Sequence, residues 1–208
     1  MTEVPPLVHL VDDDPEIRRS LSLLLESVAL ETRTYASADE FLDGFEASLD
    51  RLAVVLIDVR MPGMSGMTLL ERLRVEQPSL PIIVITGHGD IDMAVRAMKL
   101  GAMDFISKPF GPQDLLDRIQ DALSKGAQTA ARVASAREAA ARLQTLTARE
   151  REIFDRIVSG EANKAIALDL GLSVRTVESH RASIMEKLGV RTLVDLVLLS
   201  VDLGGGRG

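Results

Sequence analysis

An apolar run that ends on a single carboxylate constrains this chain more than any other feature of its sequence. Residues 53–57 read AVVLI, Asp58 follows directly, and Pro62 and Gly63 stop the extended segment. A short and almost unbroken apolar run is typical of a strand that is buried on both faces of a sheet. Open α/β sheets bind their ligands at the carboxyl ends of such strands. We therefore expect Asp58 to face a binding crevice.

A short apolar run followed by an amphipathic segment recurs throughout residues 7–121. The runs are LVHLV from residue 7, a weaker run at 32–35, the run that ends at Asp58, PIIVITG from residue 81 and MDFIS from residue 103. Asp14 and Ser37 precede two of the amphipathic segments and can cap helices, and Pro112 suits the first turn of the last one. This alternation predicts a doubly wound α/β fold, a five-stranded parallel sheet with helices on both faces.

Charge is distributed unevenly along the chain. Residues 1–121 carry 11 Lys and Arg against 21 Asp and Glu, residues 122–144 carry 4 against 1, and residues 145–208 carry 9 against 9. An acidic part joined to a neutral or basic remainder suggests two modules with different partners. The Ala-rich stretch AQTAARVASAREAAAR between them favours helix but has little apolar surface. The sequence is compatible with either a solvated helical linker or a flexible tether at this stretch.

Composition excludes several classes of protein. The chain has no cysteine, so it forms no disulfide and no thiolate metal site, and a reducing compartment suits it. No apolar run approaches the ~20 residues that a membrane span requires. We therefore expect a cytoplasmic protein without a membrane partner.

The C-terminal part of the sequence predicts a small all-α module. Thr147 and Glu150 have the spacing of a capping box, and apolar residues then recur on one helical face. Gly171 separates a short helix from a longer one at 174–188, which Ser173 can cap. Two helices joined by a glycine-containing turn match a helix-turn-helix.

Acidic, hydroxyl and basic side chains stand at four of the predicted strand ends. Carboxyl ends of neighbouring parallel strands converge, so these side chains are expected in one crevice. Several carboxylates there repel one another unless a cation binds, and oxygen ligands with waters suit Mg²⁺. A carboxylate is also a known nucleophile for phosphoryl groups, which makes Asp58 the predicted acceptor. The set comprises Asp12, Asp13 and Asp14 after the first strand, Asp58 after the third, Thr86 at the fourth and Lys108 after the fifth.

Each of these positions also has a plainer explanation, since an acid after a strand often caps a helix and Lys108 with Pro109 can form an ordinary turn. Other enzyme motifs fit less well. Residues 64–66 lack the nucleophile elbow, no Gly-rich phosphate loop follows a strand, and Arg60 stands where haloacid-dehalogenase-type phosphatases carry a second Asp. The three histidines are too scattered for a zinc site, and His88 is interpreted as a loop residue rather than a catalytic base.

Four motifs in the first part of the chain resemble those of the bacterial two-component receiver domain. They are DDD at 12–14, DVRMPGMSG from 58, VITGHGD from 84 and DFISKPF from 104. The resemblance covers residues from about 5 to 122 and implies a receiver domain at 1–122, with a flavodoxin-like sheet of strand order 2-1-3-4-5.

The receiver resemblance also implies a role for each polar residue at the strand ends. Phe105, at the position of the family's switch aromatic, cannot hydrogen-bond and would act through packing alone. A cis peptide bond is implied before Pro109. The implied site comprises Asp58 as phosphoacceptor, Asp12, Asp13, Asp58 and the Arg60 carbonyl as Mg²⁺ ligands, Thr86 as switch hydroxyl and Lys108 as phosphate partner.

The second module resembles the LuxR-type helix-turn-helix of the NarL/FixJ subfamily of response regulators, and the FixJ branch most closely. The matching segments are LTAREREIF from 146, NKAIALDLGLSVRTVESHRASIMEKLGV from 163 and the closing helix. The resemblance implies a DNA-binding domain at 143–208, after a helical linker at 123–142.

The recognition helix of this module is expected at 174–188. On a 3.6-residue period Val177, Ile184 and Leu188 can face the core. Asn163, at the start of the preceding helix, can cap it, contact the DNA backbone, or both. The predicted DNA contacts are Glu178, Ser179, Arg181 and Ala182 toward the groove and Asn163, Lys164, Arg175, Thr176, His180 and Lys187 toward phosphates.

Together the resemblances imply a transcription regulator controlled by phosphorylation, not an enzyme with an external substrate. Its implied partners are a sensor histidine kinase and promoter DNA, with RNA polymerase a further candidate. Phosphorylation would release the DNA-binding domain and promote a homodimer through the fifth strand and the helix at 90–100, which carries Met93, Val95, Arg96 and Lys99. Two alternatives stay open: a phosphate sink or docking module beside a protein-binding helical domain, and an aspartyl-enzyme phosphatase.

Overall fold

The structure, a computed structural model, describes residues 4–46, 51–87 and 91–204, with side chains up to residue 200. Its contacts divide the chain into two units, Met1–Ala130 and Ala131–Gly208, and each is described by itself. His88 and Asp90 lie outside the described residues. The interpretation of His88 as a loop residue therefore stays a prediction.

Strands and helices alternate along the described part of the first unit. In chain order they are β1 (Leu7–Val11), α1 (Pro15–Ser27), β2 (Glu31–Tyr35), α2 (Ala38–Gly44), β3 (Ala53–Asp58), α3 (Gly66–Glu76), β4 (Ile82–Thr86), α4 (Ile91–Lys99), β5 (Asp104–Ser107) and α5 (Pro112–Gln144), whose last part belongs to the second unit. All strand pairs are parallel, in the order β2-β1-β3-β4-β5. The doubly wound sheet and its predicted strand order are confirmed.

Helices cover both faces of the sheet because its central strands are apolar on both sides. Val55 and Ile57 of β3 pack with α2, α3 and α4. Val54 and Leu56, which alternate with them, pack on the other face with α1 and α5. Successive side chains of a strand point to opposite faces, so one apolar run serves two cores.

Helix starts in the first unit follow the capping signals in the sequence. Asp14 Oδ1 accepts a hydrogen bond from the Glu16 amide at 2.8 Å, and Ser37 Oγ accepts one from the Glu40 amide at 3.1 Å. These bonds satisfy amides that have no partner within the first helical turn. The last helix of the unit begins at Pro112, as predicted.

α5 continues through the stretch for which the sequence left a helix and a flexible tether open. Residues 123–142 are helical over their whole length, which agrees with the high helix propensity of Ala. Leu123 is still buried in the core of the first unit, and Gly126 lies against Pro81. Within the described ranges, no helix is both long and apolar enough to cross a membrane.

The described part of the second unit is built from helices. After the end of α5 come α6 (Ala148–Val158), α7 (Asn163–Asp169), α8 (Val174–Leu188) and α9 (Leu193–Gly204). Their shared core includes Ile153, Phe154, Ile166 and Val177. The small all-α module predicted from the sequence is therefore present.

Caps in the second unit agree with the sequence at two helices and differ at one. Thr147 and Glu150 form the predicted capping box of α6, and Ser173 caps α8. The prediction that Asn163 caps α7 is wrong. Ala162 occupies the N-cap position, and the Asn163 side-chain oxygen instead accepts a hydrogen bond from Arg181.

A glycine at position 29 should stabilise the first unit. Ala29, just after α1, has a φ of 59°, a left-handed conformation that costs a residue with a Cβ about 1 kcal/mol. Ala29→Gly is expected to raise the free energy of unfolding by about 0.5–1 kcal/mol, measured by urea unfolding with circular dichroism. As a control, Ser20→Gly inside α1 should lower it by about 0.5 kcal/mol. A destabilised Ala29→Gly variant would contradict the assigned conformation.

Candidate functional site

Three charged side chains meet where β1, β3 and β5 end. Lys108, directly after β5, donates from Nζ to Asp12 Oδ2 at 2.8 Å and to Asp58 Oδ1 at 2.7 Å. Its partners lie 96 and 50 positions away in the sequence, and the parallel register of the sheet brings them together. The structure thus joins the acidic and basic residues that the sequence placed at strand ends.

This cluster is largely removed from solvent. The side chains of Asp12, Asp58 and Lys108 are 3%, 8% and 20% exposed. Burial raises the pKa of Asp58 above its ordinary value, against the opposing effects of Lys108 and the Arg60 amide. Burial alone would lower the pKa of Lys108, but hydrogen bonds to both carboxylates outweigh it and raise that pKa. Lys108 therefore stays charged between the two acids.

Further groups fix both carboxylates. Asp58 Oδ2 accepts from the Arg60 amide at 2.6 Å, and Asp12 Oδ1 accepts from the Asp14 amide at 2.9 Å. Arg18, one turn into α1, donates from Nη1 to the Asp12 carbonyl at 2.6 Å. Sequence reasoning missed Arg18, although its place four residues after the Asp14 cap was a usable signal.

Gly66 allows α3 to begin against the end of β3. Its amide donates to the Val59 carbonyl at 3.0 Å. A Cβ at this position would collide with the Asp58 carbonyl oxygen and lie 2.8 Å from Ile57 Cγ2. The connection that follows Asp58 therefore requires glycine, which the sequence did not reveal.

Other predicted site residues lie in different environments around the cluster. Thr86, at the end of β4, is fully buried, and its carbonyl accepts from the Lys108 amide at 2.7 Å. Asp13 is exposed beside the buried Asp12. The bond between Lys108 and Pro109 is cis, as the resemblance implied.

The donor atoms at this crevice suit a hard cation. Asp12 and Asp58 offer buried carboxylate oxygens, and Asp13 offers a third carboxylate at the surface. Among the residues that the structure describes, no three acidic or histidine side chains converge enough to hold a metal by themselves. Mg²⁺ commonly keeps several waters and takes only one or two carboxylates, so this donor set fits it.

Phe105 links the crevice side of the sheet to α4. Its half-buried ring packs against the same core as Met93 and Ala97 of that helix. Met93 was predicted for an exposed dimer face. Its packing into this core leaves it half-buried, because it lies on the side of α4 that faces the sheet.

The exposed face of α4 is more apolar than the sequence analysis recognised. Val95, Arg96 and Lys99 are exposed, as predicted. Ile91 and Met98, 82% and 48% exposed, were missed. Large apolar side chains on one exposed helical face favour contact with another protein surface.

One face of α8 is buried and the opposite face is open to solvent. Val177, Ile184 and Leu188 are buried in the core, which confirms the predicted inner face. The exposed face carries Arg175, Glu178, Ser179, Ala182 and Glu186. Glu186 was not predicted, and Arg181, which was predicted toward the groove, is half-buried.

Four of the predicted DNA contacts, Asn163 among them, are engaged within the protein. Arg181 Nη1 donates to Asn163 Oδ1 at 2.8 Å, and Lys187 Nζ donates to Glu150 Oε2 at 2.6 Å. Thr176 Oγ1 lies 2.8 Å from the hydroxyl of the α8 cap residue. The other predicted phosphate contacts are Lys164 and Arg175, which are exposed, and His180, which is half-buried.

Glu150 connects α6 to α8 through one buried carboxylate. Oε2 accepts from the Thr147 amide at 2.8 Å as well as from Lys187, and Oε1 accepts from Ser183 Oγ at 2.7 Å. The Lys187 bond, followed by those of Thr147 and Ser183, lowers the pKa of Glu150 to about 2. The sequence predicted the capping box but not its reach to α8.

Models of known families match both units. Residues 8–120 match the response regulator receiver domain, and residues 144–200 match the bacterial regulatory proteins of the luxR family.

Whole-chain comparisons point the same way. The chain is 43% identical to the transcriptional regulatory protein FixJ of Azorhizobium caulinodans over 95% of this chain and 92% of that one. It is 44% identical to FixJ of Rhizobium meliloti over 97% of each chain. The solved structure of the response regulator StyR is similar with a TM-score of 0.82 and 40% identity, over 95% of this chain and 98% of that one. Full-length FixJ from B. japonicum has a TM-score of 0.56 and 38% identity, over 97% and 98%.

Alanine at position 66 should destabilise the first unit. The added Cβ collides with the backbone at Asp58, so Gly66→Ala is expected to lower the free energy of unfolding by about 1–3 kcal/mol. Gly111→Ala, where a Cβ meets open space, serves as the control and should lower that free energy by less than Gly66→Ala does. Urea unfolding compares them, and equal stabilities would show that the connection after Asp58 tolerates a side chain.

The stabilising effect of Glu150 should depend on pH. Its folded pKa of about 2 lies below the ordinary 4.5, so its contribution is fully present above pH 4.5 and is lost as the pH falls toward 2. The stability gap between the wild type and Glu150→Gln should shrink over that range in calorimetric unfolding. The exposed Glu152→Gln variant is the control. A gap that does not change with pH would contradict the lowered pKa.

Proposed function

The chain belongs to the two-component response regulators that join a receiver domain to a LuxR-type DNA-binding domain, and we propose that it is switched by a phosphoryl group on Asp58. It is a FixJ-like transcriptional regulator, and its domains imply a kinase partner and DNA. The main observation that supports Asp58 as the acceptor is its position in a buried crevice, where Lys108 joins it to Asp12.

Transfer of the phosphoryl group to Asp58 forms one bond and breaks one. A carboxylate oxygen of Asp58 attacks phosphorus, and the bond from phosphorus to a histidine nitrogen of the kinase breaks, leaving its electron pair on that nitrogen. Lys108 and the Arg60 amide hold the two carboxylate oxygens in place before transfer. After transfer, the partly exposed Lys108 ammonium can bind a phosphoryl oxygen.

We assign Mg²⁺ to the side chains of Asp12, Asp13 and Asp58 and to the carbonyl of Arg60. Two carboxylates and one ammonium leave the buried cluster with net negative charge. A phosphoryl group adds roughly −1.5 to −2. When bound, the metal supplies positive charge that offsets both.

The switch that we infer runs from Thr86 to α4. Thr86 is buried at the end of β4, the strand next to β3, and its hydroxyl would turn toward the new phosphoryl oxygens. Phe105 shares a core with Met93 and Ala97, so a change in its packing is transmitted to α4. The exposed α4 face, which includes Val95, would then pair with a second copy.

DNA recognition is assigned to α8 and the start of α7. The exposed centre of α8 is proposed to read base edges, and basic and polar groups around it to bind phosphates. Residues 145–208 carry no net charge, so one copy makes few phosphate contacts and binds DNA weakly. A dimer on two half-sites doubles the number of these contacts and raises the affinity. RNA polymerase is a further proposed partner. The chain would act in the cytoplasm, where promoter DNA lies, and turn over no external substrate.

Phosphorylation control should disappear with Asp58. The wild-type chain, treated with acetyl phosphate and Mg²⁺, is expected to gain the mass of one phosphoryl group and to bind promoter DNA more tightly. Asp58→Asn should show neither change, because an amide is not a nucleophile for phosphorus. Asp14→Asn, which keeps a side chain able to cap α1, is the control. Intact-mass spectrometry and gel shifts measure both properties. Phospho-control is wrong if treated Asp58→Asn binds DNA like the treated wild type.

The dimer face should be sensitive to an added charge. Val95→Glu places a carboxylate within the exposed apolar face of α4 and is expected to prevent dimer formation after phosphodonor treatment. Val75→Glu, on the exposed surface of α3, is the matched control. Light scattering coupled to size exclusion gives the oligomeric state. A Val95→Glu chain that dimerises like the control would place the interface elsewhere.

A further inference from the structure

Asn163 and Arg181 join the two helices of the helix-turn-helix through their side chains. Arg181 Nη1, in α8, donates to Oδ1 of Asn163, the first residue of α7, at 2.8 Å. Both side chains are half-buried. The bond to Asn163 limits the freedom of the Arg181 guanidinium before any DNA is bound.

Arg181 lies beside the buried face of α8, far from the centre of the exposed face. Successive residues of a helix are rotated by about 100°. On this rotation Arg181 lies about 40° from the buried Val177 and about 160° from the exposed Ser179, on the side of α8 that meets α7. The centre of a recognition helix faces base edges, whereas side chains at its margin and on the preceding helix face the sugar-phosphate backbone.

The hydrogen bond also fixes the orientation of the Asn163 amide. A guanidinium has only N–H donors, so the atom that faces it must be Oδ1. The two N–H donors of Asn163 Nδ2 are then directed away from Arg181. Within the described part of the chain, Arg181 uses Nη1 for this bond, which leaves Nε and Nη2 as donors beside the Asn163 amide.

We propose that Asn163 and Arg181 act as one phosphate-binding unit on DNA, and that Arg181 does not read a base. Asn163 holds the guanidinium in place, and its Nδ2 and the guanidinium donate to oxygens of the same backbone segment. The proposal rests on the DNA-binding function given above. It changes the assignment of Arg181 made from the sequence, which directed this side chain into the groove.

Base reading is then left to the centre of the exposed face, with Glu178, Ser179 and Ala182. A carboxylate there accepts from the amino group of cytosine and is repelled by phosphates. Glu178 would therefore contribute to sequence preference, while Arg181 and Asn163 contribute affinity for any sequence.

Substitution of Arg181 separates the two roles. The full-length chain, treated with acetyl phosphate and Mg²⁺, first selects duplexes from a random-sequence library. Arg181→Ala is expected to bind every selected duplex about equally weakly, with a loss of roughly tenfold. It should lower the salt slope by about 0.9 per bound copy and select the same consensus as the wild type. Arg137→Ala, which removes an exposed arginine from α5 in the same unit, is the control and should bind like the wild type.

Variants of Asn163 test the positioning role. Asn163→Ala should weaken binding several-fold in the wild type and have little further effect in Arg181→Ala, because the two residues act together. Asn163→Asp keeps an acceptor for Arg181 but replaces the outward donor by an acidic oxygen. It should unfold at the wild-type temperature or above, and yet bind DNA at least tenfold more weakly, in the range of one lost charge-assisted bond.

Each result that disagrees has a definite meaning. If the consensus of Arg181→Ala lost information at one base position, Arg181 would be a base reader and the proposal would be overturned. Additive effects of the two alanine substitutions, or wild-type affinity in Asn163→Asp, would overturn it too. If Arg181→Ala does not fold, Arg181→Lys replaces it, with the same consensus expected. A wild-type chain that selects no duplex would instead refute the DNA-binding function on which the proposal rests.

Discussion

One ammonium group between two buried carboxylates is the interaction on which the rest of the first unit depends. Lys108 neutralises only part of the charge of Asp12 and Asp58, and three strand ends have to meet for it to do so. Breaking such a pair leaves an uncompensated charge away from water, which is strongly unfavourable. If Lys108 moves to a phosphoryl group, the carboxylates therefore need another cation. Metal binding, phosphorylation and the position of Lys108 are coupled in this way.

Hydrogen bonds from charged side chains also hold α8, and they do so on two of its sides. Glu150 bonds Lys187 and Ser183 on one side of α8, and Asn163 bonds Arg181 on the other. Both connections lead to neighbouring helices, so the exposed face between them has a fixed orientation before DNA is met. Preorganisation of this kind reduces the conformational entropy that the protein loses when it binds. Some polar groups that look like DNA contacts in the sequence thus have a structural task as well.

Features set by local chemistry were predictable from the sequence. The strand that ends at Asp58, the Asp14 cap and the capping box at Thr147 follow from apolar periodicity and from side chains that bond nearby amides. Features that depend on residues far apart in the sequence could not be predicted in this way. The collision that requires glycine at 66 and the bond of Asn163 to Arg181 exist only once helices and strands are packed. Of the two roles that the sequence left open for Asn163, the cap is wrong for this reason.

The dependence of DNA binding on phosphorylation of Asp58 can be measured in one series of samples. The full chain is phosphorylated to graded extents with acetyl phosphate and Mg²⁺. In each sample, borohydride reduction and peptide mass spectrometry give the fraction modified at Asp58, and a gel shift on a selected duplex gives the fraction bound. The two fractions should rise together and fall together as the aspartyl phosphate hydrolyses. Complete modification of Asp58 with unchanged DNA affinity would contradict the claim.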